Sequence, residues 1–250
     1  MLDLLSRWQP TLIAIASAGE HGDDDRDDGA HDLNHLHRVW ANARALIAIS
    51  ATTGATAATA AANTATVTAA DHATAADALV VMAACYLHDL VNLPKNHPER
   101  ARASCLSAAR ARAALAAAHF PPDRLEGVCH AIEAHSFSAA LPACTLEARL
   151  VQDADRLDSL GAIGLARLFY TAGQMHSALA HGADPLAQQR PLDDRAYALD
   201  HIVVKLARLP SMMQTAAGRA LAEQRLARLL AFREDFALEW GAASAPANTA

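Results

Sequence analysis

Residues 78–89 read Ala78-Leu-Val-Val-Met-Ala-Ala-Cys-Tyr-Leu-His-Asp89, and this stretch decides the fold. Ala78 to Leu87 carry no charge and offer no polar face to water. A helix that is hydrophobic all round lies inside a protein, so the segment predicts an interior helix. It ends on His88 and Asp89. An imidazole and a carboxylate are costly to bury as free groups and need a partner. A divalent cation would satisfy both, and nitrogen plus carboxylate oxygen suits Mn, Fe, Ni or Zn better than an all-oxygen calcium cage. On two residues alone, a helix C-terminal cap with a nearby ion pair is an equal alternative.

The composition around that stretch favours helices throughout. Hydrophobic residues make up 52% of the 250, but aromatics only 4%, and Ala carries much of the rest. Ala is the best helix former and β-branched runs are scarce, so an all-α fold is expected. With no internal repeat and no second core in the sequence, the expectation is a single-domain helical bundle over residues 1–240. A low-complexity insertion at 51–74 and a flexible tail at 241–250 complete it. A net charge of −6 gives no basic field for nucleic acid or an anionic membrane. Cys85, Cys105, Cys129 and Cys144 form no CxxC pair, which points to buried free thiols in a reducing compartment. No continuous apolar run is long enough to span a bilayer and no signal peptide is recognisable, so a soluble, cytoplasmic protein is expected. The oligomeric state is left open.

Upstream of residue 78, Leu2 to Ser17 predict a helix broken or kinked near Pro10. Gly22 to Gly29 is densely acidic and reads as a solvated loop. A second helix runs from Asp32 to Ser50, with Leu33, Leu36, Trp40, Ala43 and Ile47 on one apolar stripe. His35, Arg38 and Asn42 lie beside that stripe. With Asp32 as N-cap, His31 falls outside the helix, so His35 is the better metal ligand and His31 an outer group. Ala51 to Thr74 is Ala/Thr-rich without an apolar period and predicts a segment looping out to solvent.

Downstream, Asn92-Leu-Pro-Lys-Asn-His-Pro98 is a loop beside the predicted ion. Lys95 either points to water or faces an anion lying between it and the metal, an arrangement that suits phosphate. Helices follow at Glu99–His119, Asp123–His135 and Leu146–Leu160, then at Gly161–His181, Arg195–Arg208 and Thr215–Trp240, with Pro210 a break between the last two. His135 is a polar group at an apolar helix end, equally a core histidine or a phosphate contact. In Gln152-Asp-Ala-Asp-Arg-Leu-Asp158, three carboxylates and Arg156 surround a packing face and call for a counter-charge. Helical spacing does not say which Asp is the ligand.

A His, a His-Asp doublet and a late Asp, in this order, resemble the HD-domain metal-dependent phosphohydrolases, an all-α family. His31-Asp-Leu-Asn-His-Leu-His-Arg-Val-Trp40, the 87–98 segment, Ala134-His-Ser-Phe-Ser-Ala139 and Gln152 to Gly161 look like its bacterial stand-alone subgroup. The resemblance implies one divalent ion (Mn, Mg, Fe, Ni or Zn) held by His35, His88, Asp89 and Asp155. It also implies phosphate contacts from Arg156, Lys95 and His135. Some nucleotidase members carry a Glu three residues after the doublet, where this chain has Asn92, which cannot act as a base. Asp153 is then a candidate for that role, and Asn34, Asp153 or Asp158 would fix the imidazole tautomers. The activity implied is hydrolysis of a nucleotide or related phosphate ester or anhydride by metal-activated water, with pyrophosphate release from nucleoside triphosphates the most specific form. A non-catalytic nucleotide- or metal-binding sensor is the alternative.

Overall fold

The computed structural model describes residues 2–19, 32–61 (side chains as far as 52), 75–93, 97–136 and 139–241. The helices are α1 (Leu2–Gly19), α2 (Leu33–Ala61), α3 (Ala78–Leu87), α4 (Ala103–Ala117), α5 (Pro122–His135), α6 (Leu146–Asp158), α7 (Gly161–Gln174), α8 (Ala198–Val204), α9 (Leu209–Met212) and α10 (Ala216–Glu239). Short 3-10 turns at Arg100–Arg102 and Leu206–Arg208 lead into α4 and α9. Among the described residues there is no β-strand, only an isolated bridge between Ala178 and Tyr197. The fold is all-α, and no helix among these residues is long and apolar enough to cross a membrane. The chain forms two compact units, Met1–Asp155 and Arg156–Ala250.

In the first unit α3 is the hub. All ten of its residues are buried, against α1, α2, α4 and α5. Asp77 starts it: one carboxylate oxygen accepts from the N–H groups of Leu79 (3.0 Å) and Val80 (3.4 Å). The other accepts from Arg124 Nε at 2.6 Å, which ties the start of α3 to α5. Asp77→Ala should therefore cost about 1–2 kcal/mol, the usual price of a lost cap with a little more for the ion pair. Urea denaturation measures this directly, and a midpoint equal to that of the unsubstituted protein would refute the capping role. Gly127 lets α5 approach α3 closely, since a Cβ there would meet Val80 Cγ1 at 3.3 Å.

Several helices differ from those expected; the one expected at Arg195–Arg208, for instance, is the shorter α8 followed by a 3-10 turn. α1 runs unbroken through Pro10; the hydrogen bond lost there is offset by burial of Leu12 and Ala16 on its inner face. α2 continues eleven residues past Ser50, because Ala propagates a helix that a buried stripe has already nucleated. α7 stops at Gln174 rather than at His181. His176 adopts a left-handed backbone (φ 57°), and Ser177 N–H donates to the Ala172 carbonyl at 2.9 Å, a Schellman ending without glycine. His119 (φ 58°) ends α4 the same way, with Phe120 N–H on the Leu115 carbonyl. In addition Pro210, expected as a break, sits in the first turn of the short α9, where a proline costs no hydrogen bond.

In the second unit α10 packs against α7, α8 and α9. Phe169, Phe232, Phe236 and Trp240 form an aromatic run across α7 and α10. The long segment between α7 and α8 is held by one buried ion pair. Arg190 donates to both oxygens of Asp200, at 2.6 and 2.8 Å, and lies over the Tyr197 ring. Asp200 is fully buried and also accepts from the Asp193 N–H.

Candidate metal centre

Local structure aims each side chain of the centre. Asp32 caps α2, its Oδ1 accepting from the His35 N–H at 2.9 Å, which places His35 in the first turn. Partial burial works against its charge, but the Asn34 amide and the His35 N–H hold the Asp32 carboxyl below its usual range. His88 is the residue on which α3 ends, so the buried hub sets its position. Asp155 comes from α6 and His135 is the last residue of α5.

These side chains meet. His35 Nε2 lies 3.4 Å from His88 Nε2, 3.5 Å from Asp155 Oδ1 and 3.8 Å from Asp89 Oδ2. His88 Nε2 lies 3.4 Å from Asp89 Oδ2 and 3.8 Å from Asp155 Oδ1. Both imidazoles are about 1% exposed. The Cys85 carbonyl faces His88 Nδ1 at 3.0 Å and can only accept, so that nitrogen carries the proton and Nε2 presents a lone pair. A lone pair and two carboxylates thus converge at separations too long for good hydrogen bonds. Atoms sharing one ion at about 2.0–2.2 Å stand roughly 3–4 Å apart, so the donor set fits a divalent cation. The expected ligands His35, His88, Asp89 and Asp155 are all brought together.

His135 joins from the side. Its ring stacks edge-on with that of His88 (4.7 Å between centroids), and its Nε2 is 3.8 Å from Asp89 Oδ1. The Ile132 carbonyl, 2.6 Å from Nδ1, fixes the same tautomer as in His88. Burial, reinforced by the neighbouring His88, pushes the His135 imidazole below its ordinary pKa. A neutral ring in this form accepts at Nε2 and cannot donate to a phosphate there. His88, Asp89 and His135 also form a second grouping able to ligate a metal.

Asp153 is fully buried and, two positions from Asp155 on α6, is not among the residues lining the cavity at the centre. Arg156 donates to the Met212 carbonyl at 2.5 Å within the second unit. Asp158 pairs with Arg167 at 2.5 Å, and Asn34 is exposed and bonded to Asp32. Main-chain carbonyls, rather than Asn34, Asp153 or Asp158, thus fix the tautomers of His88 and His135. Lys95, His31, the acidic run 22–29, residues 62–74 of the insertion and the tail from 242 lie outside the described residues. Of the cysteines, Cys85 and Cys129 are buried as expected, whereas Cys105 and Cys144 are exposed.

Other groups were missed. Two buried amides pin α6 beside the centre: Asn42 donates to the Ala154 carbonyl at 3.0 Å and Gln152 to the Ala134 carbonyl at 2.8 Å. Each carbonyl immediately precedes a residue of the centre, Asp155 or His135. Asn42 was visible beside His35 on the helix, but nothing in the sequence names a partner 112 positions away. A cavity of about 240 Å³ opens at the centre, lined by His88, Asp89, Asp155 and His135 and also by Asn92, Arg100 and Ser104.

Known proteins resemble this arrangement. The family model for the HD domain matches residues 33–160. Bacillus subtilis YpgQ is 34% identical over 161 residues, covering 63% of this chain and 70% of YpgQ. The crystal structure of Bacillus subtilis YpgQ in complex with ADP is similar at a TM-score of 0.60, with 26% identity, over 91% of this chain and 97% of that one. An HD-superfamily hydrolase from Bacillus thuringiensis is similar at a TM-score of 0.63, with 25% identity, over 94% and 98% of the two chains.

Proposed function

The chain belongs to the HD-domain family, and from that premise we propose that it hydrolyses a phosphate ester or anhydride of a nucleotide with the help of one divalent ion. The observation that carries the reading is the convergence of His35, His88, Asp89 and Asp155, an acceptor-rich set that a cation completes. A divalent ion at such a set supplies Lewis acidity, polarising a phosphoryl oxygen and making water more acidic. The nucleotide part of the reading rests on YpgQ, which is similar over nearly its whole length and binds ADP.

The protein's own groups divide the remaining work. His35 and His88 would hold the ion through Nε2, and Asp89 and Asp155 would supply the negative charge that balances it. His135, with its Nε2 lone pair facing the cavity side of Asp89, is suited to take the proton of an attacking water, a role Asn92 cannot fill. Arg100 offers positive charge at the cavity wall, where negative charge develops as the phosphoryl group is transferred. Lys95 and Arg156 remain proposed as further phosphate contacts, and Asp153 as an alternative base.

The test is a nucleotide panel assayed with Mn, with Mg and with chelator, reading both phosphate and pyrophosphate. Metal-dependent release from at least one nucleotide is expected, with pyrophosphate from a triphosphate as the specific form. No release from any substrate would overturn the reading. Asn92 in place of a carboxylate favours a second reading, a nucleotide sensor, which predicts thermal stabilisation by nucleotide and metal without turnover.

A further inference from the structure

The lining of the cavity contains a hydroxyl with nothing to bond. Ser104 is 2% exposed, and its Oγ has no hydrogen-bond partner. An unsatisfied buried hydroxyl costs free energy, and such a cost persists where another molecule relieves it. Ser104 is the second residue of α4, a fifteen-residue helix whose start no side chain caps. Arg100, one helical turn earlier, lines the cavity too. One of its guanidinium nitrogens donates to the Leu93 carbonyl, which anchors the group and leaves other N–H donors for a ligand. Among the described residues that line the cavity, Arg100 is the only Lys or Arg, and Asp89 and Asp155 line it too.

We propose that Arg100 and Ser104 form an anion subsite that binds a phosphate group of the substrate in the cavity that opens at the metal centre. The subsite rests on the phosphohydrolase reading for its substrate but not for its chemistry. A single rotation about χ1 turns the Ser104 hydroxyl toward a ligand oxygen. The bonds formed are N–H and O–H donors to phosphate oxygens, the charge-assisted kind. Such a subsite would favour substrates with a second phosphate over monophosphates, one group lying at the metal centre and the next at Arg100 and Ser104.

The experiment compares the unsubstituted protein, Ser104→Ala and Arg100→Gln, each loaded with Mn, by calorimetric titration with pyrophosphate and by thermal unfolding. Ser104→Ala should weaken pyrophosphate binding roughly tenfold, as expected for one bond to a charged acceptor, and Arg100→Gln by at least as much. Unfolding supplies the readout that a structural serine would move the other way. Because the hydroxyl is unpartnered in the free protein, Ser104→Ala should leave the melting temperature unchanged or raise it. Pyrophosphate affinity unchanged in Ser104→Ala, or a clear fall in its melting temperature without ligand, would overturn the subsite. Turnover of a nucleotide with unaltered KM in Ser104→Ala would sink the subsite alone. Ser104-dependent pyrophosphate binding in a protein that turns over nothing would sink the hydrolase reading alone.

Discussion

Asp89→Asn should abolish metal-dependent hydrolysis while leaving the protein folded. Asp89 is about a quarter exposed, and Asn keeps its shape, so the core around α3 is undisturbed. The substitution removes the charge next to both His35 and His88 and replaces one ligand oxygen with a poor donor. An ion in such a site is worth several kcal/mol to the transition state, and each 1.36 kcal/mol is a factor of ten, so turnover should fall about a thousandfold or more. Elemental analysis of the purified variant separates causes: metal content should fall with activity, and the far-ultraviolet circular dichroism should not change. Full activity in Asp89→Asn would remove the basis for placing catalysis at this centre. Chelation of the unsubstituted protein should reproduce the loss, and Mn should restore it.

The largest effect on stability is expected far from the chemistry, at Asp200. Replacing it by Ala leaves Arg190 with its charge largely shielded and its two strongest bonds gone, and frees the Asp193 N–H as well. Breaking one side of a buried pair costs about 3–5 kcal/mol, more than the pair itself contributes, because the survivor is stranded. Denaturant titration of Asp200→Ala should show a loss of this size. The double variant Asp200→Leu with Arg190→Met should recover much of it, since apolar replacements of similar size strand nothing. A double variant no better than the single one would mean that the pair itself, and not the orphaned charge, carries the stability.

The parts of the fold legible in the sequence were those written in one contiguous pattern. Ten apolar residues from Ala78 to Leu87 announce the hub without help from any other segment, and they carry His88 and Asp89 to the centre with them. Asp32 as a cap, and hence His35 as the better-placed ligand, follows from one turn of helix. Choosing Asp155 over Asp153 was beyond spacing, since both flank the same stripe; the resemblance supplied that choice, and the structure puts Asp155 at the centre. The end of α7 was hidden because His176 takes a backbone position that glycine usually marks. His135 stands out in the sequence as a polar group at an apolar helix end, but its tautomer depends on the Ile132 carbonyl and so on the folded geometry of that helix end. Asn42, Gln152, Arg100 and Ser104 gave no signal because their roles are pairings, or vacant bonds, that exist only once distant segments are packed.

The Cys85 carbonyl keeps a proton on the outer nitrogen of His88. Many metal proteins assign that duty to a carboxylate, which can mutate. Here the peptide backbone performs it, so no exchange of one amino acid for another at position 85 takes the acceptor away. What the arrangement does depend on is that the last turn of α3 stays wound. Any event that lets that turn fray would release the ring to its other tautomer and turn its lone pair away from the centre, well before the domain as a whole came apart.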